Sequence, residues 1–180
     1  AEYCNLRKTI IPTDQEFSVY PEEKRDPLLE EQQSPTKCII HRYPDRLVFL
    51  TTQLCPVYCR YCTRHRLVGS PSAKITKNDW KTGLQYIKSQ TLVREVILSG
   101  GDPLILPNNR LEFILSEIRK IPQVQVIRIS TKVPVVLPQR ITSRLVNLLK
   151  KYAPLFVNLH VIHAAELSAE CEYVLDKLVD

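Results

Sequence analysis

The sequence predicts an α/β fold in which short parallel strands alternate with helices. Three observations lead to this prediction. Four short runs rich in Val, Ile, Leu or Phe have the composition of buried parallel strands. A helical pattern follows each run, as right-handed crossovers between parallel strands require. The chain has 180 residues, enough for one domain but too few for a closed eight-unit barrel, which needs about 250 residues.

The predicted strands are residues 47–53, 95–99, 124–131 and 155–160. The first predicted helix has a capping box in Thr76 and Asp79, which precedes an apolar face. Ser168 is a good N-cap for the fourth helix. The apolar faces of the four predicted helices are Trp80, Leu84 and Ile87; Leu111, Leu115 and Ile118; Leu145, Leu148 and Tyr152; and Cys171, Val174, Leu175 and Leu178.

Two parts of the chain differ in composition. Residues 1–45 are polar, contain a charge run at residues 22–26 and are interrupted by prolines. We expect this segment to be an N-terminal arm, extended or briefly helical, without a core of its own. Residues 46–180 carry the regular strand and helix pattern and form the predicted domain.

Composition and charge exclude several classes of protein. Apolar residues at 44% and charged residues at 24% are typical of a globular protein. No apolar stretch approaches the ~20 residues that span a bilayer, so no membrane association is predicted. The net charge of +6 includes no long basic block with interleaved aromatic residues, which argues against nucleic acid as a partner. Six cysteines without a visible signal peptide indicate a cytoplasmic protein with reduced thiols.

The most informative motif is a triplet of cysteines directly after the first predicted strand. Cys55, Cys59 and Cys62 are spaced four and three residues apart. Three thiolates in one loop can bind three irons of a [4Fe–4S] cluster and leave the fourth iron open, whereas electron carriers usually supply a fourth Cys. A structural zinc site would normally have four ligands, and the other cysteines are distant in sequence. Zinc and unliganded or disulfide-bonded cysteines are the alternatives.

Other polar and glycine residues follow the remaining predicted strands. Because ligands bind at the carboxyl ends of parallel strands, these residues are expected on one face of the sheet. They are Gly100, Gly101 and Asp102 after the second strand, Ser130 at the end of the third and His160 at the end of the fourth. A plain Gly-Gly-Asp-Pro turn is the alternative for the first group. His160 and His163 are only a weak metal signal.

The sequence around the triplet resembles the lysine 2,3-aminomutase branch of the radical S-adenosylmethionine (SAM) enzymes. The resemblance covers about residues 26–180 and rests on four motifs in order. They are His41-Arg-Tyr-Pro-Asp-Arg46, Cys59-Arg-Tyr-Cys-Thr-Arg-His-Arg66, Leu98-Ser-Gly-Gly-Asp-Pro-Leu104 and Pro134-Val-Val-Leu-Pro-Gln-Arg-Ile-Thr142. The implied fold is a partial (βα) barrel with about four of the six units typical of this superfamily. Either the chain continues beyond Asp180, which we favour, or a second chain, as in a homo-oligomer, covers the open edge.

The resemblance also implies roles for individual residues. Cys55, Cys59 and Cys62 would bind the cluster, and the strand-end residues Gly100, Gly101, Asp102, Ser130 and His160 would bind SAM. Arg64 would hold the carboxylate of the substrate. The alternative for the arginines around the triplet, which include Arg60 and Arg66, is that they only balance the negative charge of the cluster. Arg42, Tyr43 and Arg46 would bind pyridoxal phosphate (PLP), although a surface turn around Pro44 is the alternative.

The implied activity is that of an isomerase that moves the 2-amino group of lysine, or a related amino acid, to C3. An electron donor such as flavodoxin or ferredoxin would reduce the cluster. Two alternatives are an aminomutase that modifies a lysine of a translation factor and a non-catalytic, metal-stabilised binding module. Lys132, Ile162 and Tyr61 depart from the family pattern and leave the substrate open. The lysine that anchors PLP in the family is not identified here, so no catalytic residue is assigned.

Overall fold

The computed structural model describes residues 5–18 and 20–179, which form a five-stranded sheet with helices. Its strands are β1 (Ile39–Tyr43), β2 (Arg46–Thr52), β3 (Glu95–Gly100), β4 (Val126–Thr131) and β5 (Leu155–Leu159). They lie in the order β1-β2-β3-β4-β5. Strands β2 to β5 are parallel, and only β1 is antiparallel to its neighbour. The predicted α/β fold is therefore confirmed, and the sheet does not close into a barrel.

Strand β1 is not among the four predicted strands. It pairs with β2 through Ile39 opposite Phe49 and Ile40 opposite Val48. Ile39 is fully buried and Ile40 almost so, whereas Tyr43 at the other end is exposed. The end of the segment assigned to the arm thus forms an edge strand of the sheet. Residues 41–43 of this strand are polar, so β1 is not a continuous apolar run and was not predicted.

The helices follow the predicted pattern. They are α1 (Asn5–Lys8), α2 (Lys77–Ser89), α3 (Asn108–Arg119), α4 (Val133–Val136), α5 (Ser143–Lys150) and α6 (Ala169–Val179). Helices α2, α3, α5 and α6 are the four predicted ones. The described part of the arm, residues 5–18 and 20–45, contains α1 and two short 3₁₀ turns, Asp14–Phe17 and Glu31–Gln33.

Side-chain caps fix where three of these helices begin. The amide of Asp79 donates to Thr76 Oγ1 at 3.3 Å, and the amide of Thr76 donates back to Asp79 Oδ2 at 2.7 Å. This is the predicted capping box of α2. Thr142 Oγ1 accepts from the amide of Leu145 at 3.3 Å before α5. Ser168 Oγ accepts from the amide of Cys171 at 3.2 Å and caps α6 as predicted.

The core lies between the helices and one face of the sheet. Alternate residues of the central strands, such as Leu98 and Ile129, are fully buried. The residues between them, such as Ile97 and Arg128, are only partly buried on the other face. Because strands alternate in this way, one face binds the helices and the other is free to line cavities. Within the described residues, no helix is long and apolar enough to cross a membrane.

Candidate metal centre and cofactor site

The cysteine triplet lies in a loop that leaves β2 and returns to it. The amide of Gly69 donates to the carbonyl of Gln53 at 2.8 Å and closes the base of this loop. Inside it, the amide of Cys62 donates to the carbonyl of Cys59 at 3.2 Å, and the amide of His65 donates to Cys62 at 3.2 Å. All three triplet cysteines line one cavity. We call residues 53–69 the cluster loop.

The cluster loop borders a cavity of about 480 Å³ at the carboxyl ends of the parallel strands. We call it the cluster cavity. Its walls include the three triplet cysteines and Arg64. They also include all five strand-end residues singled out in the sequence, Gly100, Gly101, Asp102, Ser130 and His160. The structure therefore brings nine of the twelve sequence-predicted site residues to one cavity.

The donor set of the triplet suits an iron–sulfur cluster. All five cysteines of the described residues are free, and the triplet is partly buried. In residues 5–18 and 20–179, no three His, Cys, Asp or Glu side chains surround one ion position. The donor set is the one that iron–sulfur clusters use.

Without metal, the environment of Cys55 favours the protonated form of its thiol. Burial raises its pKa to about 12, and the nearby carboxylate of Asp102 contributes in the same direction. Because metals bind thiolates, loading this site must release protons. Metal binding at the triplet is therefore expected to be favoured by higher pH.

The two glycines after β3 allow the cluster loop to lie against the sheet. Gly100 has a φ of +124°, which favours glycine. The amide of Gly101 donates to the carbonyl of Thr52 at 2.7 Å. A Cβ on Gly101 would lie 2.0 Å from the carbonyl oxygen of Leu54, far inside van der Waals contact. The two glycines therefore allow the end of β3 to lie close to the backbone that leads into the triplet.

Asp102 joins the ends of β3 and β4. Its carboxylate accepts hydrogen bonds from the amide of Leu104 at 3.0 Å, the hydroxyl of Thr131 at 2.7 Å and the amide of Lys132 at 2.8 Å. The residue is 3% exposed, and burial raises the pKa of its carboxyl. These bonds fix the floor of the cluster cavity, which is a function that the sequence motif did not reveal.

His160 and Tyr61 form the opposite wall. The amide of His160 donates to the carbonyl of Thr131 at 2.9 Å, and its ring meets the edge of the Tyr61 ring at 5.5 Å between centroids. Burial and the charge of Lys132 lower the pKa of His160, although Glu166 opposes this. The imidazole is therefore neutral at pH 7. His163 instead accepts a hydrogen bond from the amide of Ala165 at 3.1 Å and does not line the cavity.

A buried ion pair beside this wall was missed by the sequence analysis. Lys132 Nζ lies 2.7 Å from Glu166 Oε1, and both side chains are 6% exposed. The amide of Ile162 donates to Glu166 Oε2 at 3.0 Å. The pair thus ties the end of β4 to the loop after β5. Lys132 was noted only as a departure from a family pattern, and the sequence alone does not connect it to Glu166.

Arg42, Tyr43 and Arg46 lie elsewhere, in a second cavity of about 330 Å³. We call it the arm groove, because Leu28 and Glu30 of the arm also line it. The guanidinium groups of Arg42 and Arg46 lie 5.8 and 5.6 Å from the centre of the Tyr43 ring. Among the described residues, Arg42 has no carboxylate partner within 4 Å. The groove can therefore offer positive charge to an anion.

Arg64 lines both cavities. Its neighbours Arg60 and Arg66 form ion pairs with carboxylates of the arm. Arg60 pairs with Glu16, and Arg66 lies 3.0 Å from Asp26. Arg64 pairs with Glu30, so all three arginines around the triplet attach the arm to the cluster loop.

Comparison with known proteins identifies the family. The model of the radical SAM superfamily matches residues 49–177, which include the second half of β2, the cluster loop and the whole of β3, β4 and β5. The chain belongs to this superfamily. The open, mostly parallel sheet is then a partial radical SAM (βα) barrel.

Curated relatives point to one branch of the superfamily. The chain is 46% identical over 175 residues to an L-lysine 2,3-aminomutase of Methanococcus maripaludis, covering 97% of this chain and 40% of the relative. It is 42% identical over 180 residues to one of Fusobacterium nucleatum, covering 100% and 42%. A glutamate 2,3-aminomutase of Clostridioides difficile is 39% identical over 180 residues, covering 99% and 42%. The chain spans about two fifths of the length of these relatives.

Proposed function

We propose that this chain is the cluster- and SAM-binding part of an isomerase that moves the 2-amino group of lysine, or a related amino acid, to C3. The observation that carries this proposal is the convergence of the cysteine triplet with five strand-end residues on one cavity. The relatives named as aminomutases support the reaction type. Such an enzyme would act on a small molecule.

In this proposal Cys55, Cys59 and Cys62 hold a [4Fe–4S] cluster. When bound, the cluster with SAM supplies a carbon radical that removes hydrogen from the substrate, and PLP supplies radical stabilisation. The residues of this chain provide binding and orientation. Gly100 and Gly101 shape the floor and expose backbone, and Asp102 acts through the strand ends that it fixes. Ser130 and the neutral His160 offer hydrogen bonds at the wall.

PLP would be held by its phosphate in the arm groove. Arg42, Tyr43 and Arg46 offer two guanidinium groups and a phenol, which suit a phosphate. Arg64, between the two cavities, would bind the carboxylate of the amino acid. No lysine of this chain is assigned as the anchor of PLP, so these four residues would bind and orient rather than react.

The choice between lysine and a related amino acid rests on the relatives. Relatives of similar identity are named for lysine and for glutamate, so similarity alone does not choose between them. We favour lysine because most of the named relatives are lysine enzymes. A flavodoxin- or ferredoxin-type donor in a reducing cytoplasm would supply the electron that the cluster requires.

Anaerobic reconstitution with iron and sulfide tests the proposal. Electron paramagnetic resonance of the reduced protein should show a [4Fe–4S]⁺ signal that changes when SAM is added. Substitution of any triplet cysteine by Ala should abolish the change, whereas Cys171→Ala, a buried cysteine outside the cluster cavity, should keep it. Zinc without iron and sulfide would instead support a metal-stabilised binding module and overturn the proposal.

A further inference from the structure

Arg64 is held along one edge by a carboxylate of the arm. Its Nε lies 3.0 and 2.9 Å from the two carboxylate oxygens of Glu30, and its Nη2 lies 2.7 Å from Oε1. The side chain of Glu30 is 7% exposed and that of Arg64 is 19% exposed. A paired, bidentate contact of this kind fixes the plane of a guanidinium as well as its position.

The other edge of Arg64 points to the cluster cavity. Its Nη1 donates to Ser99 Oγ at 2.9 Å, and Ser99 lines that cavity. Glu30 lines the arm groove but not the cluster cavity. Glu30 therefore approaches Arg64 from the side of the groove and leaves the Nη1–Nη2 edge directed towards Ser99.

Glu30 is itself held in place by its surroundings. Arg66, whose side chain is 2% exposed, lies 3.7 Å from Glu30 and 3.0 Å from Asp26. The carbonyl of Glu30 accepts a hydrogen bond from the hydroxyl of Ser34 at 2.7 Å. A carboxylate that is buried between two arginines and fixed through its backbone is a rigid support rather than a mobile surface group.

We propose that Glu30 is a positioning residue that presents the Nη1–Nη2 edge of Arg64, which faces Ser99 and the cluster cavity, to the carboxylate of the amino acid substrate. This inference rests on the proposed function, in which Arg64 binds that carboxylate. Glu30 does not line the cluster cavity, so it would act on the substrate carboxylate through Arg64, and any effect on PLP in the arm groove would be shared by lysine and lysinamide. An amino acid whose carboxylate is replaced by a neutral carboxamide forms no ion pair with the guanidinium of Arg64. The affinity for such a ligand should therefore not depend on Glu30.

The test compares L-lysine with L-lysinamide. Binding of each to the anaerobically reconstituted protein with SAM and PLP is measured by calorimetry, and folding is checked by thermal unfolding. Glu30→Gln should weaken binding of lysine by roughly tenfold or more, because one charge-assisted contact is lost, and should change lysinamide little. Glu31→Gln is the matched control, since Glu31 pairs with Arg66 and not with Arg64. It should leave both affinities unchanged.

Glu30→Asp covers the case in which Glu30→Gln fails to fold. The shorter carboxylate keeps the charge but reaches Arg64 less well, so lysine should bind several-fold more weakly and lysinamide as before. An equal loss of affinity for lysine and lysinamide in the folded variant would mean that Glu30 only stabilises the structure, and would overturn the inference. Tighter binding of lysine would overturn it too, since Glu30 would then compete with the substrate for Arg64.

The proposed function can fail separately. A wild-type protein that carries the cluster and responds to SAM, but binds lysine and lysinamide alike, would sink the inference on Glu30 and leave the assignment of the cluster cavity standing. A protein without cluster or SAM response would overturn the proposed function and, with it, this inference.

Discussion

The two cavities that meet at Arg64 are built in different ways. The cluster cavity forms where parallel strands end, so each wall follows directly from a strand that precedes it in sequence. The arm groove instead needs the arm to fold back over the β1–β2 hairpin and place Leu28 and Glu30 beside Arg42. One cavity is a local consequence of the fold, and the other depends on contacts between distant parts of the chain.

The cavities differ in charge as well. In the cluster cavity the buried polar groups are largely satisfied within the protein, as the three hydrogen bonds to Asp102 and the Lys132–Glu166 pair show. In the arm groove Arg42, Tyr43 and Arg46 are exposed. The first is thus defined mainly by shape and the second by charge. Variants that alter shape should damage one cavity, and variants that alter charge should damage the other.

The largest effect is expected from Gly101→Ala. The added Cβ must displace the backbone at Leu54, so the cluster loop can no longer lie against β3. Iron bound after anaerobic reconstitution should fall to a small fraction of the wild-type content. Overpacking of this kind also costs about 1–3 kcal/mol of stability. Iron content and the visible absorbance of the cluster measure the first effect, and thermal unfolding measures the second.

Gly83→Ala is the matched control for this prediction. A Cβ there would lie 2.6 Å from Cys38 Sγ in the core between α2 and the sheet, away from the cluster cavity. It should destabilise the fold while leaving the iron content per folded molecule near that of the wild type. Equal loss of iron in both variants would mean that general destabilisation, and not the shape of the cluster loop, explains the result.

The next effect concerns the ion pair at the wall of the cluster cavity. Glu166→Gln leaves the charge of Lys132 buried without a partner, and should lower the free energy of unfolding at pH 7 by about 3 kcal/mol. Glu172→Gln on the exposed side of α6 is the control and should change little. Chemical denaturation of both variants measures the difference. A loss below that of the control would show that the pair does not stabilise this wall.

The same pair predicts a dependence on pH. Burial pushes the pKa of Glu166 up, but hydrogen bonds from Lys132 and the amide of Ile162 lower it overall below its usual 4.5. A lowered carboxyl pKa stabilises the fold above the unfolded-state value, and this contribution is lost as the pH falls through the folded-state value. The stability difference between wild type and Glu166→Gln should therefore shrink below pH 4.5. A difference that stays constant into acid would contradict the pairing.

A smaller effect is expected in the arm groove. Arg46→Ala removes one of the guanidinium groups proposed for phosphate and should weaken binding of PLP by roughly tenfold. Absorbance titration with PLP measures this change, and the iron content should stay at the wild-type level. Arg94→Ala is the control, because Arg94 also pairs with Asp45 but does not line the groove. If Arg46→Ala and Arg94→Ala weaken the binding of PLP equally, the loss of net positive charge alone explains the effect.

The smallest effect is expected from Arg60→Ala. Arg60 pairs with Glu16 on the surface, where both side chains are about one third exposed, with 36% and 35% accessible. Exposed pairs contribute little because water and salt screen them. Iron content, affinity for PLP and the midpoint of unfolding should all remain close to wild type. A clear loss of iron would show that this outer contact of the arm does help to hold the cluster loop.

Much of the fold could be predicted from the sequence because its elements are local. The runs that become β2 to β5 are short and apolar, and Thr76 and Ser168 mark helix starts through side chains close in sequence. Strand β1 escaped prediction since half of it is polar and its partner is β2, which only the folded hairpin reveals.

The cluster cavity was predictable for the same reason, whereas its internal supports were not. The sequence placed Cys55, Gly100 and His160 at strand ends, and the sheet brings them together. No pattern connects Lys132 to Glu166 or Arg64 to Glu30, because each pair joins residues 34 positions apart through tertiary packing.

The sequence by itself determined that strands and helices alternate, that three thiols stand after the first parallel strand, and that glycines and polar groups follow the others. These features depend on periodicity and spacing along the chain. Only the tertiary structure decided which carboxylate meets which arginine, since burial removes water from Arg64 and Arg66 and carboxylates of the arm take its place. It also divided the predicted site residues between two cavities, with Arg64 at their boundary.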